Sequence, residues 1–193
     1  MASATLTAEQ RITPEQYFNL PEWERYELVN GELQEIPLMS YEGCTIAALI
    51  AGLLNLVVVK GKLGVVADGE ATFQCFPDDP DRIRRPDVSY IAKGRLPREQ
   101  YERGHCRIAP DIAVEVVSPN DPYYSVDSKV EEYLTAGVQL VWVVNPETHT
   151  VTIWRRDGTT DRLRSGATLT GESVLPQFSV LVDDLFPNPD EVL

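Results

Sequence analysis

The segment PDIAVEVVS, residues 110–118, restricts the fold more than any other stretch of the chain. Its alanine, valines and isoleucine occupy both alternating sides, and an extended segment of that composition is stable only where both faces are covered. It therefore reads as a central strand with further layers above and below. Glu115 interrupts the pattern. An ionised carboxylate in such a strand is costly unless it is neutralised or meets a cation. The cation that the position first suggests is a metal ion.

The elements on either side extend this frame. Thr13 and Pro14 open a short helix that Pro21 ends. RYELVNGELQEI is a hairpin with a two-residue Asn30-Gly31 turn, which pairs Val29 with Glu32 and Glu27 with Gln34. Glu27 and Glu32 then share one face, opposite Leu28 and Leu33. A long helix is expected over about Gly43–Lys60, followed by VVADGEATFQCF as strand, turn and strand. RRPDVSYIA is the next strand, PREQYERG a polar connector, and PDIAVEVVS the strand after it. A helix capped by Asp121 and started by Pro122 runs to Ala136 with Gly137 at its end, its apolar stripe being Val126, Val130, Tyr133 and Leu134. VQLVWVVNP and TVTIWRR are two more strands, with an arm and loop beyond. The fold class is α/β (α+β): a mixed sheet flanked by helices, with the N-terminal helix and hairpin as additions. One domain is expected over residues 13–193, its core about 43–145, after a flexible N-terminus at 1–12.

Composition narrows the function. The formal charge of −13 repels polyanions in bulk, so a nucleic-acid partner needs a local basic patch. Arginines gather at Arg82, Arg84 and Arg85. Cys44, Cys75 and Cys106 lie far apart, and only His105 and His149 supply imidazoles, which argues against zinc and for a reducing, cytoplasmic setting. No apolar leader opens the chain. The run from Cys44 to Lys60 falls short of the roughly 20 residues of a membrane span and reads as a buried helix, so no membrane partner is expected.

Strand alternation puts Arg85, Asp87 and Ser89 on one face of their strand, and Asp111, Ala113, Glu115 and Val117 on one face of the next. If the two strands are neighbours, Asp87 and Glu115 converge. Two carboxylates with a main-chain carbonyl and waters suit Mg²⁺ or Mn²⁺.

A PD strand followed by a strand with E-x-K is the pattern of the PD-(D/E)XK nucleases, which this chain resembles except that Val117 stands where the lysine belongs. Lys129, on the following helix beside Val126, Val130 and Tyr133, can reach back to the strand end. YELVNGEL, RRPDVSYI, APDIAVEVVSP, KVEEYLTAGVQLVWVVNP and VTIWR, in that order from about Thr13 to Phe186, resemble the Uma-two family of restriction-endonuclease-like proteins. Members often carry a histidine near the start of the long helix, where this chain reads YEGCTIAAL. The resemblance implies a nuclease fold and a metal-dependent endonuclease acting on DNA, with Asp87 and Glu115 on the metal and Lys129 orienting the attacking water and stabilising charge on the phosphate. It also leaves Glu27, ahead of Glu32, as an outer ligand, and a homodimer by fold analogy, while the place of Arg84 and Arg85 beside Asp87 makes them candidates for a phosphate-binding rim.

Other readings stay open. Asp87 could pair with Arg85, Lys129 with Glu132, Glu27 and Glu32 could be surface residues, and Trp142 and Trp154 core. A nuclease fold without hydrolysis, serving as a nucleic-acid or protein binding module, is the alternative, and RNA or a small phosphodiester could replace DNA.

Overall fold

The structure, a computed structural model, describes residues 11–118, 123–188 and 190. The expected N-terminal tail, and the Asp121 cap with Pro122, lie outside or largely outside them. At its centre is a six-stranded sheet. The strands run in chain order from edge to edge: β3 (Gly64–Asp68), β4 (Val88–Ala92), β5 (Ile112–Val116), β6 (Leu140–Asn145), β7 (Thr150–Arg155) and β8 (Thr160–Leu163). Neighbours are antiparallel except β5 and β6, which are parallel because helix α4 (Tyr123–Ala136) crosses over between them. β5 is central and buried throughout, as its apolar run requires.

Each face of the sheet carries its own core. Val88, Tyr90, Ile112, Val114 and Val116 point to one side, where Ile46, Ile50, Leu54 and Val58 of helix α2 (Tyr41–Gly61) cover them. Ile91, Ala113 and Val141 point to the other, under Val130 and Tyr133 of α4. Ser40 caps α2 by accepting from the Gly43 amide, and Lys62, in the left-handed conformation, closes it. α2 is 21 residues long, not the shorter run expected, and only one of its faces is buried. By length and composition it could cross a membrane. Its apolar face instead lies on the sheet and holds the domain together.

The N-terminal helix α1 (Pro14–Phe18) carries the reciprocal Thr13–Gln16 capping box. The hairpin of β1 (Tyr26–Val29) and β2 (Glu32–Glu35) has the expected register, with Asn30 and Gly31 both at positive φ as a two-residue turn demands. β1 is tied to the chain ahead of β4 by paired Leu28 and Ile83 amides and carbonyls. The polar connector is the short helix α3 (Arg98–Glu102).

Two stretches differ from expectation. ATFQCF is not a strand paired with β3. Phe73 bridges singly to Arg84 and to Cys106, while Phe73 and Phe76 both bury their rings under α4, a packing that regular alternation over that stretch cannot provide. The C-terminal arm is more ordered than a loop. β9 (Thr168–Gly171) and β10 (Leu175–Leu181) form a hairpin whose Leu169, Leu175 and Phe178 join the α2-side core, Phe178 stacking on the buried Trp142. The sheet itself continues to residue 163, past the expected core limit at 145.

Candidate active site

The pairing of β4 with β5 sets Val88 opposite Val114, and the same register carried one residue further sets Asp87 opposite Glu115. Directly opposed residues share a face, so the two acids point to the α4 side. Asp87 is half-buried, lines a cleft of about 680 Å³ and accepts a 2.6 Å hydrogen bond from the Val116 amide. Glu115 is buried. Burial, and then the negative charge of Glu115, push the Asp87 carboxyl up to about 8. Glu115 is raised too, by burial first and by Glu27, against the opposing pull of Lys129.

Lys129 reaches the strand end from α4. Its Nζ lies 3.2 Å from Glu115 Oε2 and 3.3 Å from Glu27 Oε1. Burial alone would lower its basicity, but Glu115 and Glu27 outweigh that and hold it above the usual lysine range. Lys129 is thus a fixed positive charge at neutral pH, suited to stabilising anionic oxygen and unsuited to accepting a proton. It does not pair with Glu132, and Asp87 does not pair with Arg85.

Glu27 enters from β1, and the Leu28–Ile83 tie explains how a hairpin residue becomes buried here. One oxygen accepts from the Arg85 amide at 3.0 Å and the other from Arg84 Nη1 at 2.8 Å. Burial works against its charge, yet Lys129 and Arg84 keep its carboxyl below the ordinary range. Glu32 shares the hairpin face but lies exposed at the turn end, away from this cluster.

The expectation of a phosphate-binding rim at Arg84 and Arg85 needs correction. Arg84 is buried and grips Glu132 of α4 with two parallel bonds, Nε to Oε2 at 2.6 Å and Nη2 to Oε1 at 2.9 Å, while its third nitrogen holds Glu27. Arg85 donates to the Gly69 and Glu24 carbonyls, pairs with Glu70 at 2.9 Å and lies over the Trp23 ring. Both guanidinium groups lock the hairpin against the sheet and α4 rather than facing solvent. A desolvated arginine needs this many acceptors, and they are supplied by residues distant in sequence.

Tyr133 is the member that sequence reading assigned only to the helix core. Its ring is buried, and its hydroxyl donates a 2.7 Å hydrogen bond to Glu115 Oε1. The available signal was its position one turn beyond Lys129, together with the rule that a buried tyrosine hydroxyl finds a polar partner.

Among the described residues no group of three or more His, Cys, Asp and Glu side chains is arranged as a metal cage. His105 stacks on Phe18 and His149 on Phe186, both elsewhere. The all-oxygen pair Asp87 and Glu115 fits Mg²⁺, which keeps much of its water and needs only one or two carboxylates. Burial, and then the neighbouring charge of Glu115, keep a proton on Asp87, and a bound cation would relieve both.

A mixed sheet flanked by helices, with paired acids at the ends of adjacent strands and a lysine beside them, defines a restriction-endonuclease-like protein. The chain belongs to the Uma2 family, described as "Putative restriction endonuclease", whose model matches residues 14–183. A solved structure, titled as a putative nuclease belonging to DUF820 from Anabaena variabilis, is similar at 25% identity and a TM-score of 0.77, over 91% of this chain and 97% of that one. No curated protein matches.

Proposed function

We propose that this protein is a metal-dependent endodeoxyribonuclease that hydrolyses phosphodiester bonds at the Asp87–Glu115–Lys129 cluster. The observation that carries this reading is the opposition of Asp87 to Glu115 on adjacent strands with Lys129 Nζ 3.2 Å from Glu115. In this reading Asp87 and Glu115 hold one or two Mg²⁺ or Mn²⁺ ions. When bound, the metal activates water and neutralises charge on the phosphate. Lys129 orients the attacking water and stabilises the developing negative charge, and Glu27 fixes Lys129 in place. The acting species is a homodimer, so that two sites can meet two strands, in the cytoplasm where three unpaired thiols stay reduced.

The test is cleavage of supercoiled and single-stranded DNA with Mn²⁺ or Mg²⁺, against EDTA, Glu115→Gln and Lys129→Met. Metal-dependent cutting lost in all three controls supports the proposal; cutting that persists in both variants overturns the site. A second reading, a nuclease fold serving as a binding module without hydrolysis, is favoured by one observation. The cleft beside Asp87 is walled by Glu24, Glu35, Asp68 and Glu70, and the two arginines that also line it, Arg25 and Arg85, are engaged by acceptors. Metal-independent nucleic-acid binding that Asp87→Ala leaves unchanged would decide for it.

A further inference from the structure

α2 buries one side and leaves the other open. Ile46, Ile50, Leu54 and Val58 are fully buried, whereas Thr45, Ala48, Gly52, Asn55, Leu56 and Val59 are exposed, Leu56 at 69% and Val59 at 66%. These exposed positions recur at steps of three and four, as along a helix-pairing seam. No charged residue occurs from Gly43 through Val59, so an uncharged strip of about 25 Å lies bare on a chain otherwise rich in acids. A bare apolar strip of that length marks an interaction surface. At its middle, a side chain added to Gly52 would meet nothing within 4 Å, so the helix can be approached closely there.

The charges at the two ends identify the occupant. Glu42 lies in the first turn and Lys60 in the last, both exposed. At 100° per residue they fall on the same flank of the strip. Two antiparallel copies of this helix therefore set Glu42 of each beside Lys60 of the other, with opposed helix dipoles, about a centre close to Gly52. A parallel two-fold pair would instead leave these charges on opposite flanks without partners and align the two helix dipoles. A membrane surface fits less well. An interfacial helix carries cations along a polar face turned to water, whereas the side of this helix opposite the strip is the apolar face buried on the sheet, and the chain's charge of −13 is repelled by anionic lipid.

We propose that a second copy of this chain covers the exposed face of α2, the two helices packing antiparallel across a two-fold axis near Gly52. The inference rests on the homodimer part of the function proposed above and is independent of the cleavage chemistry. Cys44 and Ala48 belong both to the strip and to the wall of the Asp87 cleft, so the pairing sets the partner beside each cleft and makes the dimer part of the substrate channel.

The experiment is sedimentation equilibrium of the full chain, with circular dichroism and melting to verify folding. Gly52→Arg enters open space and improves helix propensity, so the variant folds, while the buried charge it creates raises the dimer dissociation constant about a hundredfold or more. Glu42→Lys and Lys60→Glu each weaken association, and the double variant restores it. A wild-type dimer showing these responses supports the proposal. A dimer indifferent to Gly52→Arg overturns this face and leaves the homodimer standing. Failure of the double reversal to restore association overturns the antiparallel arrangement. A wild-type monomer overturns both, and if that monomer binds vesicles of phosphatidylcholine and phosphatidylglycerol, the face belongs to a membrane.

Discussion

The two ends of β5 each bury a carboxylate, Asp111 just ahead of the strand and Glu115 near its close, both on the α4 side of the sheet. Their surroundings differ in kind. Asp111 accepts from the Ala92 amide at 2.7 Å, from Gln139 Nε2 at 2.8 Å and from Arg95, a half-exposed cation, at 2.7 Å. Every neighbour is a donor and no second acid intrudes, so the group is satisfied as a structural joint between β4, β6 and the Arg95 turn. Glu115 meets Lys129 and Tyr133, but Asp87 and Glu27 crowd it, and it shares its one nearby ammonium with Glu27. Burial alone therefore does not distinguish a functional acid from a structural one. An excess of acids over donors does, because it is relieved by a retained proton, as on Asp87, or by an added cation.

Exchange of each acid for its amide gives opposite outcomes at the two ends. Glu115→Gln lowers metal-dependent cleavage about a thousandfold or more, the scale expected when charge stabilisation at the reacting centre is lost, while the melting temperature barely moves. Stability survives because Glu115 is already disfavoured as an anion and Glu27 still pairs with Lys129. Cleavage rates and thermal melts on one preparation check both halves. Asp111→Asn reverses the pattern. Its new NH₂ faces the donors of Arg95 and Gln139, so unfolding in denaturant shows a loss of about 2–3 kcal/mol, with cleavage per folded molecule unchanged. If Asp111→Asn instead abolishes cleavage in a fully folded protein, the contrast between the two ends collapses.

The part of this arrangement visible in the sequence was the part encoded locally. Alternation in RRPDVSYI and PDIAVEVVS gave the faces of Asp87 and Glu115, and Asn30-Gly31 gave the hairpin register. The lysine missing at Val117, and the helix face shared with Val126, Val130 and Tyr133, pointed to Lys129. What alternation could not supply was the choice of partners across the fold. Arg84 and Arg85 look like a basic rim in one dimension, but the Leu28–Ile83 tie brings Glu27 against them, and the crossover places Glu132 beside Arg84. Phe73 and Phe76 imitate a strand for the same reason, their apolar spacing being satisfied by α4 and not by a sheet neighbour. Tyr133 was legible as core, whereas its hydroxyl's partner depended on where β5 ended relative to α4.

That hydroxyl offers a finer probe of the crowded end. Tyr133→Phe keeps the ring packing and removes the single donor to Glu115 Oε1. Loss of an outer hydrogen bond that orients a metal ligand weakens Mn²⁺ affinity about tenfold, measurable by calorimetry, with a smaller change in stability. Unchanged affinity would reduce Tyr133 to a packing residue.

The smallest effect is the most specific to the imbalance of charge. Asp87 titrates near pH 8 in the folded protein, far above an unfolded aspartate. Between the ordinary carboxylate range and about pH 8, the unfolded chain has released this proton while the folded chain still holds it. Folding therefore takes up a proton across that window, and the contribution of Asp87 to stability falls as pH rises. Asp87→Asn keeps an oxygen that can accept from the Val116 amide and cannot ionise. The variant should match wild type near pH 4 and exceed it by a margin that widens steadily as pH rises toward 8, in urea unfolding without metal. Mn²⁺ should narrow that gap by stabilising wild type alone, since ligand binding to the folded state adds to its stability. A gap that is the same at both pH values would mean that the acids at this end of β5 do not crowd one another. Glu115 would then be as settled a structural acid as Asp111, and the electrostatic argument for a cation at this place in the fold would fail.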